Sequence, residues 1–326
     1  MRVPVSCFIL TLAAALIRPE NSLLFPRVHM ADVVASSPTP HKPQHALVVR
    51  SGPEIDQLLT NLFQQEKWEM RFAVNNAEAL QLAKEAAFDV ILTGERTPRK
   101  EDIELLRRLR MARPHTRLII LTEEFVPGDV LAAIRERAFS YFSRPFSTER
   151  LAEMVRIAMS EPFWDDGIEV LSGTTNWVRL CVRCDLATAN RLLQFYREAS
   201  DLPDAETEEV ATAFREILMN AMEHGGHFDP SQHVEVSYMR TRRMILCRVK
   251  DPGQGFSLEE LEHSAIANPE EDPFKHMEAR EAQGKRPGGF GILMATKLVD
   301  DLIYNEKGNE VLLVKYLDKP AAASGS

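Results

Sequence analysis

A chain of 326 residues that is 44% hydrophobic and 27% charged, with 15 Gly and 19 Pro, carries too much apolar material for wholesale disorder and has no collagen or coiled-coil signature. Its 39 Lys and Arg against 48 Asp and Glu leave a formal net charge of −9, so it lacks a global basic field for holding a nucleic-acid backbone. Cys7, Cys181, Cys184 and Cys247 are too few and too unevenly spaced for a disulfide framework, which suits a reducing, cytoplasmic setting, and the length predicts about two domains.

Residues 3–17 are almost wholly apolar and lie between Arg2 and Arg18, the pattern of a secretion signal or anchor. The run is shorter than the ~20 apolar residues that a membrane-crossing helix needs, and it contains Pro4, Ser6 and Thr11. The competing reading, adopted here, starts the protein at Met30, with a polar leader as far as Pro43. Residues 1–44 are therefore read as leader and linker, and no membrane partner is expected unless residues 3–17 form a real anchor.

Residues 45–160 alternate short apolar runs with amphipathic stretches, the signature of a parallel sheet wound by helices. The runs are 46–49, 70–74, 90–92, 118–121 and 141–142, which predicts five strands and five helices. Leu58, Leu59 and Phe63 share one helical face, and Leu105, Leu106 and Leu109 share another with Arg107, Arg108 and Arg110 turned to solvent. The order and spacing, with Phe88-Asp89-Val90-Ile91-Leu92-Thr93-Gly94 through Pro98, Thr122 and Pro145-Phe146, resemble the receiver domain of bacterial response regulators. In that family an aspartate ends the third strand, two acidic residues after the first strand hold magnesium, and a lysine precedes the proline. Here those positions are Gly94, Arg50-Ser51 and Arg144, so this half is expected not to accept a phosphoryl group. Docking, dimerisation or restraint of the second half are the roles left to it, with a structural relic as the alternative.

Residues 161–175, with Pro162, Asp165-Asp166-Gly167 and Gly173, read as a connector. A strand is predicted at 177–184, a helix at 187–199, and a second helix from Glu206 whose buried stripe is Val210, Phe214, Ile217, Leu218 and Ala221. Glu216, Asn220 and Glu223 form a separate flank at i, i+4 and i+7, ended by His224-Gly225-Gly226. A carboxylate and an amide one turn apart suit a metal ion and a hydroxyl. A hairpin at 234–239 and 244–249 runs into Asp251-Pro252-Gly253-Gln254-Gly255, an acceptor beside backbone that a planar ligand can approach. Gly288-Gly289-Phe290-Gly291 then opens a helix at 292–299, whose exposed N–H groups can receive phosphate, and a last hairpin turns at Lys307-Gly308-Asn309. Cys181-x-x-Cys184 sits in a strand and reads as core packing; His224 and His227 read as helix-end hydrogen bonding.

Glu-x-x-x-Asn-Ala on a helix, Asp-x-Gly-x-Gly after a strand and Gly-x-Gly opening a helix resemble, in that order, the ATPase superfamily of gyrase, the histidine kinases and MutL. The segment Glu216 to Gly225, an E-x-x-x-N-A-x-x-H-G helix, brings it nearest to the anti-sigma-factor serine/threonine kinases. The resemblance implies an α/β protein: a doubly wound parallel five-stranded sheet, then an α+β sandwich over residues 176–318 with a mixed sheet and helices on one face, and a tail at 319–326. It implies ATP and Mg²⁺ as cofactors, with Asn220 on the metal, Glu216 as general base and Asp251 on the adenine amino group. Gly253 and Gly255 would let the ring pack closely, and Gly288, Gly289 and Gly291 would face the phosphates beside a cationic contact from Arg286 or Lys285. The implied activity is transfer of the γ-phosphate to Ser or Thr of an antagonist protein under control of the receiver-like half. The alternative is a non-catalytic ATP-dependent module that sequesters a sigma factor or another regulator; a homodimer is left open.

Overall fold

The computed structural model describes residues 44–160, 166–174, 176–255 and 291–317. The first half alternates as its pattern predicts: β1 (His45–Val49), α1 (Pro53–Gln65), β2 (Glu69–Ala73), α2 (Asn76–Glu85), β3 (Val90–Leu92), α3 (Arg99–Ala112), β4 (Arg117–Thr122), α4 (Pro127–Arg135), β5 (Ser140–Ser143) and α5 (Thr148–Ser160). All pairings are parallel in the order β2-β1-β3-β4-β5. Strands β1, β3 and β4 are buried on both faces, which is why they read as continuous apolar runs rather than alternating ones. Leu59 and Phe63 of α1 pack with Leu151 and Val155 of α5 on one face. Leu105, Leu106 and Leu109 of α3 lie on the other, while Arg107 and Arg108 pair with Glu104 at the surface.

The second half consists of β6 (Ile168–Thr174), β7 (Trp177–Arg183), α6 (Leu186–Ser200), α7 (Asp204–Asn220), a π-helical turn (Ala221–Gly225), β8 (His233–Arg240), β9 (Met244–Lys250), α8 (Gly291–Leu298), β10 (Asp301–Tyr304) and β11 (Glu310–Tyr316). The sheet order is β10-β11-β9-β8-β7-β6. Two expectations are corrected here. Every pairing is antiparallel, not mixed, because consecutive strands join directly as hairpins or return beside their neighbours. The connector also contains a strand: residues assigned to a linker form β6, an edge strand with a register shift between Val170 and Ser172. Only its first residue, Ile168, is fully buried, and Gly173 crosses so close to β7 that a β-carbon there would lie 2.7 Å from the Trp177 carbonyl. An exposed, bulged edge strand carries no hydrophobic alternation to read.

One sheet face buries Val178, Leu180, Val182, Val234, Val236, Ile245, Cys247 and Val249 against the helices. Alternation along β7 and β8 places these side chains inward at every second residue. Phe214 of α7 stacks on Tyr196 of α6 with centroids 4.3 Å apart, and Tyr196 meets Tyr238 of β8 edge-on. The Tyr238 hydroxyl donates to the Ala199 carbonyl at 2.7 Å, locking sheet to helix. On the opposite face Arg179 and Arg248 share Glu235, and Arg248 also pairs with Glu310 at 2.6 Å.

The buried ring of Phe214 joins α6, α7 and β8, so Phe214→Ala is expected to lower unfolding free energy by about 3–5 kcal/mol. Urea denaturation monitored by circular dichroism measures the loss.

Candidate functional site

Helix α7 delivers the first part of the site. Val210, Phe214, Ile217 and Leu218 are buried along its stripe, which leaves Glu216 and Asn220 half-exposed on the flank. Regular helix stops at Asn220, and the turn that follows is π-helical, so Glu223 is carried out to solvent rather than continuing the flank. Gly226 is buried where a β-carbon would strike the Cys184 sulfur, and the left-handed residues His227 and Phe228 reverse the chain. Cys184 therefore serves as packing under this turn, with burial pushing its thiol up to about 11. Cys181 lies on the other sheet face beside Glu235.

The end of β9 delivers the second part. The Asp251 N–H donates to the Asn309 carbonyl at 3.0 Å, and its carboxylate accepts from the Gly253 N–H at 2.7 Å. Gly225 lies so near that any side chain on it would overlap the Asp251 carboxylate, and a β-carbon on Gly253 would sit 2.8 Å from the Asp251 Oδ1 atom. Gly255 has φ +80° and presses on the Lys307 carbonyl, a position only glycine fills without strain. Lys307 Nζ and Asn309 Nδ2 each donate to the Gly253 carbonyl at 3.4 Å. The β10–β11 turn thus clamps the glycine loop, a role for Lys307 and Asn309 that the sequence reading missed because nothing local links residues fifty positions apart. Burial raises the Asp251 carboxyl above its ordinary value, opposed by the Gly253 N–H and the Lys307 charge.

The third part is the start of α8. A β-carbon on Gly291 would lie 2.7 Å from Glu216 Oε2 and 3.6 Å from Asn220 Nδ2. Arg215 holds the other oxygen of Glu216 at 3.2 Å. Gly291 thus meets Glu216 and Asn220 at the end of α7, while Asp251 and Gly253 meet Gly225 at the end of the π turn that follows, and Gly255 lies against Lys307. Arg286, Gly288 and Gly289 fall outside the described residues. This set fits a metal nucleotide: a half-buried carboxyl beside glycine backbone suits an amino-bearing ring, and an amide with a carboxylate suits a metal ion at phosphates reaching the N-terminal end of a helix.

The first half has a second convergence point, at the carboxyl ends of β1, β3 and β5. A β-carbon on Gly94 would lie 2.7 Å from the Arg50 carbonyl, so the backbone closes over the space that a side chain would need. Glu95, 8% exposed, fills the neighbourhood: its N–H donates to the Ser51 hydroxyl at 3.1 Å and its carboxylate accepts from Arg144 Nε at 2.6 Å. Arg50, expected beside the vacated metal position, lies over the Phe72 ring and pairs with Asp56 instead. The cation at this end is Arg144, and its buried partner Glu95 was not singled out from sequence.

Comparison with known proteins agrees with both halves. Residues 46–156 match the response regulator receiver domain and residues 183–315 match the histidine kinase-like ATPase domain, so the chain carries a receiver domain followed by an ATPase domain of that family. Among curated relatives it is 29% identical over 116 residues to the response regulator protein PilR of Pseudomonas aeruginosa, covering 36% of this chain and 26% of that protein. It is 27% identical over 141 residues to the transcriptional regulatory protein TrcR of Mycobacterium tuberculosis, covering 43% and 52%. It is 25% identical over 111 residues to the serine-protein kinase RsbW of Oceanobacillus iheyensis, covering 34% and 65%. The chain therefore spans from about a quarter to about two thirds of the relatives it matches. Among solved structures, the chemotaxis response regulator CheY4 of Vibrio cholerae aligns with 25% identity and a TM-score of 0.32, over 36% of this chain and 99% of that one. Among the described residues no helix is long and apolar enough to cross a membrane.

Two substitutions test these geometries. Gly225→Ala forces a methyl into the Asp251 carboxylate and is expected to cost about 1–3 kcal/mol of stability, read by urea denaturation. Gly94→Asp places a carboxylate where the Arg50 carbonyl leaves no room and where Arg50-Ser51 offers no acidic metal ligands. It is expected to take up no phosphoryl group from acetyl phosphate, as intact-mass spectrometry would show.

Proposed function

We propose that this ATP-binding signalling regulator is a protein serine/threonine kinase of the anti-sigma-factor type, acting with Mg²⁺ in the cytoplasm on a small antagonist protein. The chain's ATPase domain implies ATP binding, and its combination with a receiver domain fits signal transduction. The observation that carries the finer reading is the meeting of Glu216 Oε2 and Asn220 with Gly291, across the π turn from Asp251. The partial similarity to a serine-protein kinase supports it.

In this reading the residues divide the work. Asp251 accepts from the adenine amino group, and Gly253 leaves the ring a close approach. The backbone at the start of α8 faces the phosphates. Asn220, through its amide oxygen, and not Glu216, would hold Mg²⁺, which when bound neutralises phosphate charge. Glu216 takes the proton of the partner's hydroxyl as that oxygen bonds to the γ-phosphorus; the bond to the bridging oxygen breaks and ADP leaves with its electron pair. Most of the rate comes from positioning, so one base and one metal-holding amide suffice.

The second reading is a module that holds ATP and grips a sigma factor without transferring phosphate. One observation favours it: Arg215 already occupies one oxygen of Glu216. Glu216→Ala separates the two. Under the kinase reading it lowers phosphorylation of a co-purified partner by about 10²-fold or more while calorimetry shows nearly unchanged ATP affinity; a parent protein that phosphorylates no co-purified partner favours the module. Asp251→Asn and Asn220→Ala are expected to weaken ATP about tenfold, the latter only when Mg²⁺ is present, and ATP binding indifferent to both would refute the cradle itself.

A further inference from the structure

Strand β5 ends the receiver sheet, so one side of it has no strand neighbour. Unpaired main-chain groups on such an edge must find partners or water. Here helix α6 of the ATPase domain supplies them. Arg191, 2% exposed, donates to the carbonyls of Phe139 at 2.9 Å and Ala138 at 3.3 Å, with its guanidinium over the Phe139 ring. Gln194 donates to the Tyr141 carbonyl at 3.0 Å. Glu198 accepts from the Ser143 N–H at 3.1 Å and from the Ser143 hydroxyl. Residues 191, 194 and 198 lie on one face of α6, at rises of about 4.5 and 6 Å, near the ~6.6 Å between outward-facing groups of a strand. Donors meet carbonyls and an acceptor meets an N–H, so the side chains of α6 act in place of a sixth strand.

The contact continues towards the ATP cradle. A single apolar core runs unbroken from Val130, Leu131 and Ile134 of α4 through α6 to Phe214 and Ile217 of α7. Beyond Ser143 the two domains part around a cleft of about 520 Å³, lined by Phe142, Phe146, Leu202 and Thr207 among others. It lies at the N-terminal end of α7, whose other end presents Glu216 and Asn220. Arg150 of α5 and Arg197 of α6 both reach Glu208 of α7, at 2.6 and 3.3 Å.

We propose that the Arg191–Gln194–Glu198 ladder on β5 is the joint through which the receiver domain controls the ATP cradle: closed, it holds α7 in the arrangement that joins Asn220 and Glu216 to Gly291, and opened at its Glu198 end it releases α7. The receiver domain thereby acts without an acceptor aspartate, by how firmly β5 holds α6. The proposal rests on the reading that the cradle binds ATP.

Glu198 is the titratable end of the joint. Burial pushes its carboxyl up to about 7, opposed by the Ser143 and Gln194 hydrogen bonds and by Arg150. The other charged groups facing the cleft are Arg144, Arg197, Asp201, Asp204 and Glu208. A folded-state value above the ordinary 4.5 means that the closed joint favours protonated Glu198. Closure is therefore fully favoured at low pH, weakens from about the ordinary value upward, and has lost this contribution once pH passes about 7.

The test uses the full chain with Mg-ATP, calorimetry at pH 6 and pH 8, and hydrogen exchange at residues 141–144. The Gln194→Ala/Glu198→Ala double variant is expected to exchange faster at Ser143 and to bind ATP about fivefold more weakly. Glu198→Gln keeps an acceptor for Ser143, gives up the hydrogen bond from Gln194, removes the titration and corrects for protonation of ATP itself; relative to it, the parent protein should lose affinity between pH 6 and pH 8. A double variant with faster exchange and unchanged affinity overturns the coupling, as does unchanged exchange. If the parent protein binds no ATP at either pH, the ATP reading falls and the coupling with it, whereas ATP binding indifferent to both variants removes the coupling alone.

Discussion

Residue 225 has room for a hydrogen and nothing larger, because the Asp251 carboxylate occupies the space where a side chain would begin. That contact joins the C-terminal end of α7 to the C-terminal end of β9. Once it is made, the positions of Glu216 and Asn220 relative to Asp251 follow from helix geometry alone: Asn220 is one turn, and Glu216 two turns and a little more, back along a rigid cylinder. The π-helical turn supplies the extra residue that lets Gly225 reach the carboxylate while Gly226 tucks over Cys184. The glycine loop, held from the far side by Lys307 and Asn309, then has only one place to lie.

The receiver domain's fold rests on its apolar strands and the helices packed on them. Its parallel sheet needs only apolar strands and short connections. At the carboxyl ends of β1, β3 and β5, Gly94 leaves no room for a side chain beside the Arg50 carbonyl, and Arg144 pairs with Glu95. The free edge at β5 was then available to bind something else. Arg191 is almost fully buried between Asp166 and two carbonyls, an environment that a charged side chain tolerates only when its donors are used. Such a contact is selective for one register of α6 on β5.

Much of this could be read along the chain. The five parallel strands and their helices came from apolar runs of the right length, and the buried stripe of α7 from its spacing. Glu216, Asn220, Asp251, Gly253, Gly255 and Gly291 all belong to short motifs whose residue types announce themselves. What escaped notice has a common cause. Strand β6 has an exposed, bulged pattern; Glu95 and Arg191 look like ordinary surface charges until their burial is known; Lys307 sits in an unremarkable turn. Each acquires its role from a partner about fifty residues away or from an edge that exists only in the assembled sheet.

By itself, then, the sequence determined the periodicities and the glycine positions, Gly94 among them, since these depend on residue type and spacing within a few turns of chain. The tertiary structure alone decided that the second sheet is antiparallel throughout, that Gly225 meets Asp251, and that α6 closes the receiver's open edge. Those outcomes depend on which buried polar groups find partners across long separations. No local rule encodes that choice, because the cost of leaving such a group unpaired is felt only when the whole fold excludes water.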